Sequence, residues 1–452
     1  MAQASFDELP KRTKGAGRAA RDGALSGGVR APGDKSISHR ALILSALAEG
    51  ESRIAGLLEA DDVLRTASAL RALGVGVQKD VAADGAAWRV RGGSWGSLSR
   101  ALYLGNSGTG VRLLMGAAAG AGAAAVFDGD ISLRARPMGR VLEPLRMMGA
   151  SMESRDGRLP VSLMSEGGLS AVDVKLATAS AQVKSAILLA ALGATGKTRI
   201  HEPVLCRDHT ERMLAAFGAS LSMTPDGEGG RFIEIAGDQR LTACNVTVPG
   251  DPSSAAFPVV AALITPGSDV TVRGVLLNPL RSGLFDTLRE MGADLSFDNK
   301  RETNGETVAD IRARHSVLNG VAVPAERAPA MIDEYPILAI AAAYAHGETV
   351  MRGVGELRVK ESDRIAAVEA GLTACGAEVS SGPDWLKVHG AAGLQGGARI
   401  KTRHDHRIAM SFLIAGLASE KPIDIDDMTM IATSFPNFLD VMREIGADII
   451  DA

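Results

Sequence analysis

Apolar and polar positions follow a pattern that recurs six times along the chain. Each copy starts with a small polar or charged cluster, continues as an apolar stretch, and turns into a β-rich stretch. Each copy then closes on Gly-Ala or Gly-Val, and the six glycines are Gly74, Gly149, Gly218, Gly292, Gly376 and Gly446. A long, regular period is typical of repeat architectures. The pattern predicts six α/β units, with functional residues where the helix starts converge.

The first copy illustrates the plan. Apolar residues recur every three or four positions after Ser36, which predicts a helix that Ser36 or Ser38 would cap. Gly50 is expected to end that helix. A strand over 52–58 and a second helix that runs to Gly74 complete the unit. Sister helices are predicted to begin near Thr109, Ser180, Ser253, Asp333 and His406.

The length of the chain predicts two domains. At 452 residues it exceeds one comfortable hydrophobic core. Three units per domain is the symmetric arrangement, giving two similar lobes, each an inside-out α/β barrel with helices inside sheets. We expect an N-terminal lobe over 31–248, a C-terminal lobe over 249–452, and a tail and strand over 1–30 that join the C-terminal lobe. The active site is expected in the cleft between the lobes.

Composition excludes several classes of protein. A net charge of −4 argues against a nucleic-acid-binding protein. Three cysteines form no disulfide or zinc pattern, which favours a reducing, cytoplasmic location. No apolar run is suited to spanning a bilayer. Residues 1–28 lack the apolar core of a secretory signal, and a frayed tail is favoured over a transit peptide.

Cationic residues gather at the helix starts, although the protein is acidic overall. They are Lys35, Arg40, Arg112, Arg136, Lys184, Arg207, Lys360, Arg364, Arg403 and Arg407. Helix N-termini attract anions, and arginine adds bidentate recognition of phosphate or carboxylate. The pattern predicts a small, multiply charged anionic ligand, although Lys184 and Arg403 could equally be solvated charges. The segment 28–36 resembles a P-loop only loosely, because Asp34 separates the glycine from the lysine.

Two acids stand among these cations. Asp333 precedes an apolar helix, and Glu361 lies in the run from Arg358 to Arg364. Nearby cations keep a carboxylate ionised, so that it can act as a base. A capping or salt-bridge role is the alternative.

Several motifs together resemble the enolpyruvylshikimate-phosphate synthase family. The resemblance covers about residues 28–450. The motifs are Pro32-Gly-Asp-Lys-Ser-Ile-Ser-His-Arg40, Gly105-Asn-Ser-Gly-Thr-Gly-Val-Arg112, Arg136-Pro-Met-Gly139, Ser180-Ala-Gln182, Arg358-Val-Lys-Glu-Ser-Asp-Arg364 and Asp405-His-Arg407. The segments 180–184 and 207–211 resemble its class II branch, whereas Asn278-Pro-Leu-Arg281 lacks the usual threonine.

The resemblance implies an activity in the shikimate pathway of aromatic amino-acid biosynthesis. The enolpyruvyl group of phosphoenolpyruvate would pass to the 5-hydroxyl of shikimate 3-phosphate through a tetrahedral ketal, with release of phosphate. No metal and no organic cofactor are implied, and the family's default is a monomer. The implied partners are these two small molecules alone, without nucleic acid or membrane.

The resemblance also implies roles for individual residues. Lys35, Asp333 and Glu361 would be catalytic: Asp333 would take the hydroxyl proton and Glu361 would handle the proton at the methylene carbon. The implied shikimate 3-phosphate ligands are Lys35, Ser36, Arg40, Ser180, Ala181, Gln182, Arg207, Asp333 and Lys360. The implied phosphoenolpyruvate ligands are Lys35, Gly108, Arg112, Arg136, Gln182, Arg364 and Arg407.

Two positions bear on mechanism and inhibition. Thr433 stands where many relatives have a lysine and cannot supply a cation. Gly108 stands where an alanine excludes the family's inhibitor glyphosate, so we expect a glyphosate-sensitive enzyme.

Three alternatives remain. The first is a transferase acting on UDP-N-acetylglucosamine, but the loop over 129–137 lacks the reactive cysteine usual in that family. The second is a non-catalytic paralogue that only binds, although Asp333, Glu361 and the arginines are all present. The third, cyclase-type chemistry on RNA ends, fits the six repeats less well.

Overall fold

The computed structural model describes residues 15–82, 85–164 and 167–451. The chain divides into two compact units. Unit 1 comprises Lys35–Val248, and unit 2 comprises residues 15–34 together with 249–451. Residues 1–14 of the predicted N-terminal tail lie outside the described residues.

Both units alternate helices with short strands. The chain first contributes β1 (Gly17–Ala19) and β2 (Ser26–Arg30) to unit 2. The helices of unit 1 are α1 (Lys35–Leu47), α2 (Asp61–Ala72), α3 (Gly108–Gly120), α4 (Ile131–Ala135), α5 (Gly139–Met147), α6 (Ala181–Ala191) and α7 (His209–Ala216). Its strands are β3 (Glu51–Ala55), β4 (Gly76–Ala82), β5 (Gly85–Arg91), β6 (Ala101–Tyr103), β7 (Ala125–Asp128), β8 (Ser151–Ser154), β9 (Val161–Met164), β10 (Leu169–Ser170), β11 (Asp173–Lys175), β12 (Ala194–Thr195), β13 (Lys197–Glu202), β14 (Leu221–Pro225), β15 (Arg231–Ala236) and β16 (Val246–Thr247).

Unit 2 continues in the same way. Its helices are α8 (Pro252–Ile264), α9 (Gly283–Glu290), α10 (Ala328–Met331), α11 (Tyr335–Ala343), α12 (Arg364–Ala374), α13 (His406–Gly416) and α14 (Phe438–Glu444), with short 3-10 helices at Ala325–Arg327, Gly355–Val359 and Thr429–Thr433. Its further strands are β17 (Asp269–Leu276), β18 (Asp294–Thr303), β19 (Glu306–Arg314), β20 (Ala322–Val323), β21 (His346–Arg352), β22 (Glu378–Gly382), β23 (Trp385–Ala391), β24 (Arg399–Ile400), β25 (Ile423–Ile425) and β26 (Ile449–Asp451).

Among the described residues, each unit contains three four-stranded sheets of one topology, and unit 1 also has a two-stranded sheet, β10-β12. In unit 1 the strand orders are β16-β3-β5-β4, β6-β7-β9-β8 and β11-β13-β15-β14. In unit 2 they are β2-β17-β19-β18, β20-β21-β23-β22 and β24-β25-β1-β26. Each of these six sheets has one parallel pair followed by two antiparallel pairs. The six-fold repeat predicted from the sequence is therefore confirmed.

Apolar helices form the centre of each unit. In unit 2 every residue of α8, α11 and α13 is buried. In unit 1 a Cβ at Gly116 of α3 would collide with the backbone of Ala186 in α6. Small residues allow this close approach, which explains the abundance of Ala and Gly in these helices. The predicted arrangement, with helices inside and sheets outside, is confirmed for each unit.

The closing glycines perform one structural task. All six have positive φ, between 86° and 99°. Each follows the last helix of its repeat: α2, α5, α7, α9, α12 or α14. Left-handed backbone there lets the next amides bond to the last carbonyls of the helix, and glycine adopts this conformation at little cost. At the first repeat, for example, the amide of Gly74 donates to the carbonyl of Arg71 at 3.0 Å.

Two predicted helix starts are wrong by a few residues. Helix α1 begins at Lys35, so Ser36 and Ser38 lie inside it and neither is its N-cap. The Ser38 hydroxyl instead accepts the amide of Leu58 at 3.0 Å, a tertiary contact. Asp333 lies in a turn before α11, which begins at Tyr335 because Pro336 favours the first turn of a helix.

Two findings bear on the class of protein. Cys206, Cys244 and Cys375 all have free thiols. Among the residues that the structure describes, no helix combines the length and the apolar character needed to cross a membrane.

Candidate active site

Seven of the candidate residues lie at the start of a helix. In these positions are Lys35 at the start of α1, Gly108 at the start of α3, Ser180 as N-cap of α6 with Ala181 and Gln182 following, Arg364 at the start of α12, and Arg407 in the first turn of α13. A helix N-terminus presents free amides and the positive end of the helix dipole. Both units thus carry the features that bind small anions.

Arg40 in unit 1 is buried, and each of its three side-chain nitrogens donates a hydrogen bond. It is 3% exposed. Its Nε donates to the hydroxyl of Thr210 at 2.7 Å and its Nη2 to the hydroxyl of Ser185 at 2.8 Å. Its Nη1 donates to the carbonyl of Ser36 at 2.8 Å. The predicted ligands Arg40 and Ser36 therefore lie together.

Lys35 points toward the start of α2. Its ammonium lies 3.2 Å from Oδ2 of Asp62, and both side chains are largely buried. Asp61, beside it, pairs with Arg65 at 3.2 Å. The pair with Asp62 fixes the position of the Lys35 ammonium while leaving two of its three donors for other acceptors.

A second group joins α3 to α6. Nη1 of Arg112 donates to Oε1 of Gln182 at 2.6 Å, and Nε2 of Gln182 donates to the hydroxyl of Thr109 at 2.8 Å. This chain of hydrogen bonds orients the amide of Gln182 and the guanidinium of Arg112. Both are predicted ligands of phosphoenolpyruvate, and the structure brings them into contact.

Gly108 lies against two guanidinium groups. A Cβ at this position would stand 2.9 Å from Nη1 of Arg136 and 3.1 Å from Nη1 of Arg112. Arg136 also donates to the amide oxygen of Asn106. An alanine at position 108 would therefore push the Arg136 side chain out of its present position, since a side-chain end yields more easily than backbone.

Lys184 is not the anion ligand or solvated charge that the sequence suggested. It is fully buried, with its ammonium 2.7 Å from Glu202 and 2.8 Å from Glu211. Burial alone would lower the pKa of Lys184, but Glu211, Cys206 and Glu202 together raise it. Its charge is therefore neutralised inside unit 1.

Arg403, by contrast, is exposed, which agrees with the alternative that it is a solvated charge.

Arg207 lies in the loop between β13 and α7. It is half-buried, directly after Cys206 and three residues before Thr210, the partner of Arg40. The loop thus brings Arg207 to the same end of unit 1 as the start of α1.

Arg364 is the centre of the candidate site in unit 2. It is 1% exposed, and its guanidinium contacts three carboxylates. Nη1 donates to Asp333 at 3.2 Å, Nη2 donates to Glu361 at 2.6 Å, and Nε donates to Asp405 at 2.9 Å. The ammonium of Lys360 lies 3.4 Å from the same oxygen of Asp333. The structure therefore brings together both predicted proton carriers and two predicted substrate ligands.

Opposite charges in this group keep one another ionised despite their burial. Burial alone would lower the pKa of Arg364, but Asp405, Glu361 and Asp333 raise it above its ordinary value. Burial alone would raise the pKa of Asp405, but Arg364 lowers it. Both groups stay ionised at neutral pH.

Arg407 is held by the turn that contains Asp333. Its Nη1 donates to the carbonyl of Asp333 at 2.9 Å and lies 3.5 Å from Oε1 of Glu334. Glu334 also accepts a hydrogen bond from the hydroxyl of Ser253. The same hydroxyl accepts a hydrogen bond from Nη2 of Arg281 at 3.0 Å. A buried polar network thus supports the position of Arg407.

Arg281 completes this network with two buried acids. Nη2 of Arg281 lies 3.3 Å from Asp34 and 3.0 Å from Asp251. Burial and the neighbouring Asp34 raise the pKa of Asp251 to about 6, against the attraction of Arg281 and Arg407.

The two departures from the family pattern have structural explanations. Oδ1 of Asn278 accepts the amide of Leu280 at 2.9 Å, so the turn before Arg281 is held by Asn278 and does not depend on the side chain at 280. The hydroxyl of Thr433 donates to the carbonyl of Met430 at 2.6 Å, and Thr433 is buried. It supplies a helix contact in place of a cation.

Asp405 belongs to the group around Arg364, although the sequence analysis assigned it no role beyond its place in the motif Asp405-His-Arg407. Besides Arg364, it contacts the hydroxyl of Ser362 at 3.0 Å and accepts the amide of Arg407 at 2.9 Å as N-cap of α13. An aspartate immediately before an apolar helix is an N-cap signal, which could have placed it. Its ion pair with a residue 41 positions away could not have been found in this way.

Comparison with known proteins identifies close relatives. The model of the EPSP synthase family (3-phosphoshikimate 1-carboxyvinyltransferase) matches residues 20–442. The chain is 58% identical over 434 residues to a 3-phosphoshikimate 1-carboxyvinyltransferase of Phenylobacterium zucineum, covering 95% of each chain. It is 56% identical over 442 residues to the protein of the same name from Caulobacter vibrioides, covering 96% of this chain and 99% of the relative.

Solved structures of two proteins have a similar fold. An EPSP synthase from Acinetobacter baumannii superimposes with a TM-score of 0.85 at 41% identity, covering 97% of this chain and 99% of that one. The enolpyruvyl transferase NikO from Streptomyces tendae superimposes with a TM-score of 0.74 at 19% identity, covering 97% and 98% of the two chains, which shows a shared fold.

Proposed function

The chain belongs to the EPSP synthase family, and on that premise we propose that it is a 3-phosphoshikimate 1-carboxyvinyltransferase. It transfers the enolpyruvyl group of phosphoenolpyruvate to the 5-hydroxyl of shikimate 3-phosphate and releases phosphate. The observation that carries the proposal is the environment of Asp333, an acid within 3.4 Å of both Lys360 and Arg364. A base beside cations that can hold anionic substrates is what this reaction requires.

The two substrates are bound by different groups of residues. Shikimate 3-phosphate is bound by Lys35, Ser36, Arg40, Ser180, Ala181, Gln182, Arg207, Asp333 and Lys360. Phosphoenolpyruvate is bound by Lys35, Gly108, Arg112, Arg136, Gln182, Arg364 and Arg407. Helix N-termini and arginines support this assignment because both substrates carry a phosphate and a carboxylate.

The reaction begins with attack of the 5-hydroxyl oxygen on the C2 carbon of phosphoenolpyruvate. The hydroxyl proton passes to Asp333, which Lys360 and Arg364 keep ionised and therefore able to accept it. At the same time the methylene carbon takes a proton from Glu361, which gives the tetrahedral ketal. Phosphate then leaves with the proton that Asp333 holds, and Glu361 takes back a proton from the methyl group, which forms the enolpyruvyl product.

Glu361 must be protonated at the start of this sequence, although its carboxylate now accepts a hydrogen bond from Arg364. Phosphoenolpyruvate resolves the conflict, because its anionic groups compete with Glu361 for the Arg364 guanidinium. A carboxylate that loses a cationic partner and gains an anionic neighbour is more easily protonated. Substrate binding thus prepares Glu361 to act as an acid.

The enzyme acts on these two small molecules as a cytoplasmic monomer. Three free thiols in a chain without a disulfide pattern support a reducing compartment. Light scattering of the purified protein, with a mass near 46.8 kDa as the expected result, tests the monomer.

Phosphate release from the purified protein tests the proposal. Release should require both phosphoenolpyruvate and shikimate 3-phosphate. Release with UDP-N-acetylglucosamine in place of shikimate 3-phosphate would instead assign the protein to the alternative transferase. A rise in melting temperature with both substrates but without phosphate release would indicate a paralogue that only binds.

A further inference from the structure

Four charged side chains form a buried cluster in unit 1, which we call the Cys206 clamp: Lys184 of α6, Glu202 of β13, Glu211 of α7 and Arg231 of β15. Lys184, Glu202 and Glu211 are fully buried, and the side chain of Arg231 is 13% exposed. Two cations and two carboxylates balance in charge, which is the condition under which buried ions are tolerated.

Contacts within the clamp are close and shared. The ammonium of Lys184 lies 2.7 Å from Glu202 and 2.8 Å from Glu211. The guanidinium of Arg231 lies 2.6 Å from the other oxygen of Glu202 and 3.2 Å from Glu211. Each cation therefore bridges both carboxylates. Burial alone would raise the pKa of Glu202, but Lys184 and Arg231 lower it, so the cluster stays ionised.

The clamp binds every polar group of Cys206. The Cys206 amide donates to Oε1 of Glu202 at 3.1 Å, and its thiol donates to the same oxygen at 2.8 Å. Its carbonyl accepts from Lys184 at 3.2 Å and from Arg231 at 3.4 Å. That carbonyl belongs to the peptide group that continues into Arg207. Three hydrogen bonds thus fix the backbone on the N-terminal side of Arg207, and a fourth holds the Cys206 side chain.

The clamp also connects the two segments that carry ligands of the same substrate. Lys184 lies in the first turn of α6, two residues after Gln182 and four after Ser180. Glu211 lies in the first turn of α7, next to Thr210, which accepts a hydrogen bond from Arg40. Charges buried at these points do not touch solvent, so they are not ligands themselves.

We infer that the Cys206 clamp positions Arg207 against the ligands at the start of α6, and that Arg231 is a positioning residue for the binding of shikimate 3-phosphate. The inference rests on the proposed function, which names that substrate. It explains why Lys184 and Glu211 occur within the ligand-bearing segments 180–184 and 207–211 although neither reaches a ligand. A structural role alone would stabilise unit 1 without affecting one substrate more than the other.

Arg231 offers the sharpest test. Lys184→Met would leave two buried carboxylates short of a partner, and such a variant can fail to fold. The partly exposed Arg231 tolerates change better. Arg231→Gln removes the cation that bridges Glu202, Glu211 and the Cys206 carbonyl, whereas Arg231→Lys keeps the charge. The matched control is Arg199→Gln, because Arg199 lies in the same sheet, on β13, and pairs with Asp173 and Glu234 away from the loop.

The experiment measures kcat and both KM values for the four full-length proteins, with hydrogen exchange of the 203–208 segment in the absence of substrate. For Arg231→Gln we expect a KM for shikimate 3-phosphate raised about tenfold or more, because small misplacement of a ligand is costly, with the KM for phosphoenolpyruvate nearly unchanged. Exchange in 203–208 should accelerate. Arg231→Lys should recover most of both effects, and Arg199→Gln should match the native protein.

Two results would overturn the inference. One is an unchanged KM for shikimate 3-phosphate in Arg231→Gln. The other is an equal rise of both KM values, without faster exchange in 203–208. Failure of the proposed function is separate: the native protein would then not turn over shikimate 3-phosphate at all. In that case the substrate assigned to Arg207 falls as well, and the exchange data alone report whether the clamp holds the loop.

Discussion

Nη1 of Arg364 lies 3.2 Å from Oδ1 of Asp333, although 31 residues separate them in the sequence. The contact places a permanently charged group beside the proposed base. A guanidinium in this position favours the ionised form of the carboxylate, which is the form that accepts a proton. It also ties the base to a proposed ligand of phosphoenolpyruvate.

Asp333→Asn should abolish most of the turnover while leaving the fold intact. The amide oxygen can still accept hydrogen bonds from Arg364 and Lys360, but the side chain cannot take a proton. Loss of a general base typically costs about 10²- to 10⁴-fold in rate. We therefore expect kcat to fall by that amount, measured by phosphate release, with a much smaller change in KM. Asp440→Asn, at a carboxylate that is 80% exposed, is the control. A kcat within a few-fold of native would assign the base elsewhere.

Arg364→Met should destabilise unit 2 strongly. The change leaves the fully buried Asp405 without its principal cation. Breaking a buried ion pair by removing one partner costs about 3–5 kcal/mol. Denaturant unfolding should show this loss, and Arg364→Met with Asp405→Asn should recover part of it. Arg443→Met removes an exposed pair with Asp440 and should cost less than about 1 kcal/mol. Equal stabilities for the Arg364 and Arg443 variants would contradict the central role of Arg364.

Gly108→Ala should raise tolerance of glyphosate. The added methyl would meet the guanidinium of Arg136 at 2.9 Å and that of Arg112 at 3.1 Å. It would therefore narrow the proposed phosphoenolpyruvate site, which these two arginines line. The native enzyme should be inhibited by glyphosate in competition with phosphoenolpyruvate, and the variant should show a higher inhibition constant. Its KM for phosphoenolpyruvate should rise less than the inhibition constant. Equal inhibition constants for the two proteins would refute this prediction.

The repeat and its helix starts could be predicted because their signals are local. The closing glycines and the N-caps stand within about one turn of the helix ends that they specify, and the apolar periods lie within the helices themselves. Burial of Lys184 was not predictable, because its partners Glu202 and Glu211 lie on β13 and α7, 18 and 27 positions farther along the chain. The start of α1 was misplaced for a similar reason: Ser38 resembles a cap in the sequence but contacts Leu58 in the fold.

The candidate site likewise has features that the sequence predicted and features that it could not predict. The family resemblance implied that Asp333, Glu361, Arg364 and Arg407 act in one site, and the structure places them in contact. The motifs could not show that Arg407 is held by the backbone carbonyl of Asp333, since any residue supplies a carbonyl. A strand from residues 1–30 was expected to join the C-terminal lobe, but its position between β25 and β26 was not, because the three residues of β1 carry no period of their own.

Unfolding free energy should depend on pH through Asp251. Its pKa is raised to about 6 in the folded protein, above the ordinary value of 3.8. Between these values the folded state binds more protons than the unfolded chain. This contribution to stability is therefore complete below about pH 4 and is lost as the pH rises through 6.

Asp251→Asn removes that dependence while keeping an acceptor for the amide of Ser253. The native protein should lose more stability than the variant between pH 4 and 6, by on the order of 1–3 kcal/mol at about 1.4 kcal/mol per pKa unit. Denaturant titrations of both proteins at several pH values measure the difference. Parallel stability curves would show that Asp251 does not titrate in this range.

Carbon NMR with phosphoenolpyruvate labelled at C2 tests the central claim most directly, because it observes the bond that forms. With shikimate 3-phosphate present, the label should appear in an enolpyruvyl ether, and Asp333→Asn should leave the label in phosphoenolpyruvate. Conversion of the label to pyruvate at the same rate with or without shikimate 3-phosphate would contradict the account, since phosphate release would then be hydrolysis.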